Sequence, residues 1–374
     1  MKIGILGGGQ LGRMFIQNAL NYPNEIHILD PDSEAPCSTI SHKFVVGNFN
    51  DYKTVLDFGQ NVDIIGIEIE HVNIEALKEL EKQGIKVVPK PEIVEIFQDK
   101  GIQKEFYRKN NLATAPFYVI ENATEIDLNK IQLPFVQKLR KGGYDGKGVQ
   151  IIKSEKDLEK LWNEASVIEQ CADIEKELAV IFAKNDHNEI AIFPAVEMVF
   201  NDELNLVDYL ITPAHVEPHL YNIIHSLVKD YSKVIDSSGI FAVELFLNKN
   251  GEIWINETAP RVHNSGHHTI EANECSQFEM MFRAMLNLPF NSIKQKYKYA
   301  AMINLVGENN FEGIPIIKNY EELFKKHKVF FHWYGKKVTK PGRKMGHITI
   351  LGKDYKSIKE KINFVKEKVK IISE

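Results

Sequence analysis

The stretch FAVELFLNKNGEIWINETAP, residues 241–260, reads as two β-rich runs meeting at Asn250-Gly251. That dipeptide suits a tight two-residue turn, whose central positions need positive φ. With such a turn Glu244 falls directly opposite Glu257, on one face of the ribbon. Opposed like charges destabilise a sheet: two carboxylates about 5 Å apart repel by roughly 3 kcal/mol at an effective dielectric of 20. A divalent cation shared between them turns that penalty into a binding site, and oxygen donors suit Mg2+ carrying nucleotide phosphates. The competing reading is a shifted register that leaves one glutamate at the surface. Asn256 then points to the other face or bends in as a strand-end ligand.

Three other stretches carry chemistry. Upstream lies RKGGYDGKGV, residues 140–149. Its glycines at 142, 143, 146 and 148 allow backbone N–H groups to close on an oligophosphate, with Lys138, Arg140 and Lys147 supplying positive charge. A flexible hairpin tip is the alternative, but four glycines so close together cost backbone entropy that a plain turn has no need to spend. Downstream lies APRVHNSGHH, residues 259–268. Arg261 flanked by His263, Asn264 and Ser265 suits a planar anion such as bicarbonate, a carboxylate or phosphate. A zinc site on His263, His267 and His268 is less favoured, because an arginine stands beside them and their spacing is irregular; a buried structural network is the third possibility. At the N-terminus, GILGGGQLGR (4–13) follows a strand and opens a helix, with Asp30 ending the next strand. That arrangement fits a dinucleotide pyrophosphate on the helix and a ribose on Asp30, as in an NAD-dependent dehydrogenase. It also fits a plain strand–helix turn serving another phosphate.

Composition and periodicity supply the frame. The 374 residues are 44% hydrophobic and 26% charged, with a net charge of −5, which is ordinary for a globular protein of two or three domains. Residues 291–374 hold 19 Lys/Arg against 8 Asp/Glu, a basic block that suits an anionic ligand or a solvated lysine-rich helix. Three scattered cysteines and the absence of a leader or an apolar run of about 18 residues point to a cytoplasmic chain. Neither a membrane nor a nucleic acid is expected as partner. Alternating strands and helices over residues 2–88 imply a parallel, doubly wound sheet. Pro91 suits the first turn of a helix running to about Asn110, and Ser154 with Asp157 marks a helix start for DLEKLWNEA. AMINLVG, KVFFHWY and GHITILG read as strands, followed by a terminal amphipathic helix. The expected division is 1–95, 96–295 and 296–374.

Taken in order, the glycine turn, GGYDGKG, Glu169-Gln170, the glutamate hairpin, NETAPRVHNSGHH and KPGRKMGH (340–347) resemble the N5-carboxyaminoimidazole ribonucleotide synthetases, ATP-grasp enzymes of purine biosynthesis. The resemblance covers nearly the whole chain, and RVHNSGH with PGRKMGH is its most specific part. It implies an ATP-grasp fold with an N-terminal Rossmann-like parallel sheet and a small C-terminal β-rich domain. It implies carboxylation of 5-aminoimidazole ribonucleotide by ATP and bicarbonate, through carboxyphosphate, in a homodimer. ATP is then held by Lys100, Lys138, the loop residues Gly143, Tyr144, Asp145, Gly146, Lys147 and Gly148, the segment Glu169, Gln170 and Ala172, with Glu177 and Asn256. Glu244 and Glu257 hold Mg2+. Arg261, His263 and Asn264 take bicarbonate. Gln10, Leu11, Glu70, Tyr144, Asp145, Lys336 and Arg343 take the ribonucleotide. Another ATP-grasp ligase or formyl-transfer enzyme of purine synthesis is the nearest alternative.

Overall fold

The computed structural model describes residues 1–143, 148–201, 204–326 and 328–374. Short buried runs of Ile, Leu and Val alternating with amphipathic helices build the N-terminal part: β1 (Lys2–Leu6), α1 (Gln10–Ala19), β2 (Glu25–Asp30), β3 (Lys43–Val46), α2 (Tyr52–Gly59), β4 (Ile64–Ile67), α3 (Ile74–Lys82), β5 (Lys86–Val88) and α4 (Pro91–Gln98). The strands form one parallel sheet in the order β3-β2-β1-β4-β5, as the alternation requires.

The helix expected to run from Pro91 to Asn110 is two helices. Asp99 leaves the helical region at φ −122 and ψ 113, and its carboxylate accepts from the N–H groups of Gly101 and Ile102. It therefore caps a new helix, α5 (Lys100–Lys109). Arg140 grips the same carboxylate with two N–H bonds of 3.0 Å. The break fixes Lys100 at the first position of α5, facing the site.

Four strands, β6 (Phe117–Ile120), β7 (Phe135–Leu139), β8 (Val149–Ile152) and β9 (Ser166–Gln170), form an antiparallel sheet in the order β6-β9-β7-β8. The glycine loop joins β7 to β8. The helix expected after Ser154 is only a 3-10 turn, Glu155–Lys160, although its capping box forms as read. The buried amide of Gln137 on β7 explains the stop: it bonds both the N–H and the C=O of Trp162 and draws the chain out of helix.

The rest is organised by a larger sheet. Its strands are β10 (Ile174–Lys184), β11 (Ile190–Ile192), β12 (Val196–Asn201), β13 (Leu206–Thr212), then, after α6 (Pro218–Val234), β14 (Gly239–Asn248) and β15 (Ile253–Ala259). After α7 (Thr269–Ala272) and α8 (Gln277–Leu286) come β16 (Tyr299–Val306), β17 (Pro315–Lys318), α9 (Tyr320–Lys326), β18 (Val329–Trp333), β19 (Lys344–Gly352), α10 (Tyr355–Lys368) and β20 (Lys370–Ser373). Among the described residues nine strands join in the order β15-β14-β10-β12-β13-β16-β19-β18, with β11 on β10, while β17 and β20 pair separately. The β13–β16 pairing carries this sheet through residue 295 without a break.

Both faces of β10 and β14 are covered. Ile181, Ala183, Ile240 and Ala242 meet α1 and α8 through Phe15, Ile16, Phe278, Phe282 and Met285. Phe182, Phe241 and Val243 meet α5 and α6 through Tyr107 and Tyr231. Each large side chain so buried is worth about 1.5–3 kcal/mol, so α8 binds the N-terminal sheet firmly to the site-bearing hairpin. Among the described residues no helix is long and apolar enough to cross a membrane.

One close approach fixes the C-terminal motif. Gly307, after β16, accepts from Gly342 N–H and donates to Arg343 C=O, and a Cβ there would lie 2.3 Å from the backbone oxygen of Lys340. Gly307→Ala is therefore expected to lower stability in urea by about 1–3 kcal/mol, the usual cost of overpacking. An unchanged unfolding midpoint would contradict that packing.

Candidate active site

The hairpin places Glu244 opposite Glu257, but by a different route from the one expected. The turn is Lys249–Gly251, closed by Asn248 and Glu252, with Gly251 at φ +86. This one-residue shift is cancelled by a bulge: Leu245 faces Ile255, whereas Glu244 faces Glu257, so Asn256 is the extra residue. The bulge turns Asn256 into the site instead of to the other face. Its Oδ1 accepts from Lys138 at 2.8 Å, and its side chain also bonds Glu244.

Three lysines surround the acidic pair. Lys100 lies 2.7 Å from Glu257, which raises the lysine's pKa and holds the Glu257 carboxyl well below the usual range. Burial and the nearby Glu257 push Glu244 up. Glu177 on β10, also desolvated, rises to about 7. Lys138 and Lys104 share Glu169, at 3.0 and 3.3 Å. Burial opposes charge on Glu169, but the two lysines outweigh it and its carboxyl is lowered. Desolvation brings Lys104 down to about 8 despite Glu169. The side chain of Lys104 is also tied to Thr114, which bonds Ile255 C=O. Sequence reasoning missed Lys104; the signal was a lysine four residues after Lys100 on an otherwise amphipathic helix.

Glu169, the penultimate residue of β9, is a buried ion-pair partner, with Gln170 exposed at the strand's end and Ala172 partly exposed beyond it. At the neck of the glycine loop, Gly148 (φ +73) sits so close to Gly143 that a Cβ would lie 3.2 Å from its Cα. Tyr144, Asp145, Gly146 and Lys147 lie outside the described residues.

Immediately after β15 comes the anion candidate. Arg261 pairs with Glu70 at 2.7 Å and donates to Val262 C=O. Its Nε is buried without a partner among the described residues. Burial opposes its charge, but Glu70 and Glu68 outweigh that and raise its pKa. His263 lies 3.6 Å from Glu244, and burial with the charge of Arg261 lowers it to about 4, so its ring is neutral. Asn264 exchanges reciprocal bonds of 2.9 and 3.0 Å with Asn304, so its amide is turned toward β16. Glu70, expected beside the ribonucleotide, is engaged by Arg261.

The N-terminal glycine turn has its own anion. Glu68 accepts from Leu11 N–H, and a Cβ on Gly9 or Gly7 would lie 2.5 or 2.7 Å from its carboxylate oxygens. Asp30, the ribose ligand in the dinucleotide reading, instead accepts from Gly8 N–H at 2.6 Å. The glycines are needed because a protein carboxylate packs on the turn, and the pyrophosphate position is filled from within. This removes the basis of the dehydrogenase reading. Gln10 opens α1 on the same edge. On the C-terminal side, Lys336 donates to Lys344 C=O at 2.7 Å and Arg343 donates to Val338 C=O at 2.7 Å. Sequence reasoning passed over Glu68, though GIEIEHV (66–72) places two glutamates with i, i+2 spacing just past a strand end.

Paired carboxylates on a β-ribbon, facing lysines and a glycine loop between two antiparallel strands, define an ATP-grasp ligase. The sequence matches the ATP-grasp domain over residues 105–278, the ribonucleotide synthetase preATP-grasp domain over 1–98, and the phosphoribosylaminoimidazole carboxylase C-terminal domain over 300–361. The N5-carboxyaminoimidazole ribonucleotide synthase of Staphylococcus aureus is 33% identical, covering 94% of this chain and 93% of its own. The chloroplastic phosphoribosylaminoimidazole carboxylase of Vigna aconitifolia is 36% identical over 98% of this chain, which spans 66% of that protein's length. The crystal structure of N5-carboxyaminoimidazole ribonucleotide synthetase from Thermotoga maritima superimposes with a TM-score of 0.93 at 39% identity, covering 100% of this chain and 99% of that one. The chain belongs to the N5-carboxyaminoimidazole ribonucleotide synthetase family.

Burial raises the Glu68 carboxyl to about 7, against the pull of Arg261 and two backbone N–H bonds. A raised acid favours the folded state while protonated, so its contribution is full below the unfolded value near 4.5 and is lost as pH climbs to about 7. Glu68→Gln should remove this trend. Compared with the variant, the wild type is expected to lose roughly 1–3 kcal/mol of unfolding free energy across that window and to stay level above it. Parallel stability–pH curves for the two proteins would contradict the assignment.

Proposed function

We propose that this chain carboxylates the exocyclic amine of 5-aminoimidazole ribonucleotide, using bicarbonate and hydrolysing ATP to ADP, in purine biosynthesis. The observation that carries this reading is the unspent, buried Nε–H of Arg261 beside the Glu244–Glu257 pair. A guanidinium N–H left over from Glu70 and Val262 can donate to a small planar anion, and a nucleotide phosphate needs the neighbouring cation site. An NAD-binding role leaves both without a task.

Two opposed carboxylates with the Asn256 amide oxygen suit Mg2+, which binds through one or two carboxylates and completes its shell from phosphates and water. Among the described residues no three His, Cys, Asp or Glu side chains form a full cage, so the nucleotide would supply the remaining oxygens. Bound there, Mg2+ would offset charge on the transferring phosphoryl group. Lys100 and Lys138 offset it from the protein side, and the glycine loop excludes water. Glu169 keeps Lys138 aligned, and Lys104 keeps Glu169 ionised. Glu177 lies on the same face for the ribose.

Bicarbonate is a poor electrophile, so its activation as carboxyphosphate is the natural use of this layout. Arg261, oriented by Glu70, holds the anion, and neutral His263 adds a donor without a second charge. Glu68 fixes the turn that carries Gln10 and Leu11, on the ribonucleotide side. Lys336 and Arg343, from the basic C-terminal block, face its phosphate. We place the protein in a reducing cytoplasm, which the three free thiols of Cys37, Cys171 and Cys275 suit, and infer a homodimer.

The test is ADP release with bicarbonate, the ribonucleotide and Mg2+ omitted in turn. Full turnover is expected only with all three, and formate or an amino acid should not replace bicarbonate. Arg261→Ala should lower product formation at least ~100-fold, as loss of an electrostatic anchor does. Near-normal product from that variant, or ADP release indifferent to bicarbonate, would overturn the reading.

A further inference from the structure

Gln277 opens α8 with no exposed surface. Its side-chain Oε1 accepts from His263 N–H at 2.9 Å, and its Nε2 donates to His263 C=O at 2.8 Å. We infer that Gln277 is the positioning residue of His263, its amide standing in for a β-strand partner that locks the backbone from which the imidazole is presented. The inference rests on the bicarbonate reading of the Arg261–Asn264 segment.

The geometry supports that role on several counts. His263 is extended, at φ −138 and ψ 157, the conformation in which one residue's N–H and C=O point to the same side. A single carboxamide, carrying one acceptor and one donor group, satisfies both. The clamp is anchored. Gln277 N–H donates to Thr269 Oγ1, Thr269 in turn bonds Gly266 C=O, and α8 buries Phe278, Met281, Phe282 and Met285. The loop is pressed onto the clamp, since a Cβ at Gly266 would lie 2.5 Å from Gln277 Oε1 and 2.3 Å from Ile181.

The fixed backbone then sets the ring. Ser265 N–H donates to His263 Nδ1 at 3.3 Å, and Ser265 Oγ is 2.9 Å from it. A backbone N–H can only donate, so Nδ1 is the acceptor and the neutral ring carries its hydrogen on Nε2. That atom is the one facing Glu244. Gln277 touches neither carboxylate; its Nε2 also lies 3.3 Å from Nδ1 of the buried His267, and of its two histidine neighbours only His263 faces Glu244.

The test is a double-mutant cycle read in single turnovers, with nucleotide affinity and thermal unfolding measured on each protein. Gln277→Met keeps side-chain length and loses both bonds. Gln277→Glu keeps the acceptor, loses the donor, and serves if the Met variant does not fold. Either change is expected to lower the carboxylation rate at least tenfold and raise the KM for bicarbonate, with ATP affinity within twofold of wild type. In a His263→Ala background the same change should cost less than twofold, because the clamp then has no ring to place. An equal loss in both backgrounds would mark Gln277 as merely structural, and unimpaired turnover in both Gln277 variants would overturn the inference. If His263→Ala itself carboxylates normally, the underlying site reading fails instead.

Discussion

The arrangement depends on two like charges held face to face across a ribbon. Glu244 and Glu257 repel by an amount comparable to what one good ion pair returns. The chain answers with Lys100, and the break at Asp99 is what places Lys100 there. Asp99 caps the new helix and is gripped by Arg140 at the root of the glycine loop. The loop, the helix start and the acidic ribbon are thus one connected electrostatic unit. Glu257 remains 43% exposed on its side chain, so this unit is open to solvent, from which a cation can enter.

Two glycine-rich turns in the chain meet different fates for the same physical reason. Exposed backbone N–H groups attract an anion. At the N-terminus that anion is internal: Glu68 and Asp30 fill the turn, and the parallel sheet serves as a scaffold that delivers Glu70 to Arg261. In the central loop, the two glycines at the neck crowd each other while the adjoining Lys138 faces Asn256 and Glu169. The positive charge of Lys138 is thereby held beside the acidic ribbon, where we propose that the nucleotide's phosphates bind.

Much of this was legible in the sequence, and the remainder shows where local rules stop. The facing glutamates were read correctly from a turn that is one residue too short, because the bulge at Asn256 restores the register. The turn sequence specifies only its own end of the hairpin; the bulge answers to Lys138 and Glu244, which are distant in sequence. The single long helix failed at Asp99, whose capping role needs Arg140 from 41 residues away. The helix after Ser154 failed because Gln137 captures Trp162. Glu68, Lys104, Asn304 and Gln277 went unread for one reason: each acts on a partner far along the chain, and a lone buried polar residue carries no periodic signal.

Chain connectivity also ties the C-terminal block to the Arg261–Asn264 segment. The β13–β16 pairing extends the large sheet, so β19 and its preceding KPGRK turn are held in place by hydrogen bonds instead of a linker. Asn304 on β16 reaches back to Asn264, tying the anion loop to that same extension.

The most direct measurement is the anomalous signal of Mn2+ in crystals grown with a non-hydrolysable ATP analogue. A peak is expected between Glu244 and Glu257, within bonding distance of both and of a phosphate oxygen. A peak that contacts neither carboxylate, or a triphosphate bound away from the hairpin with Lys100 still on Glu257, would contradict it.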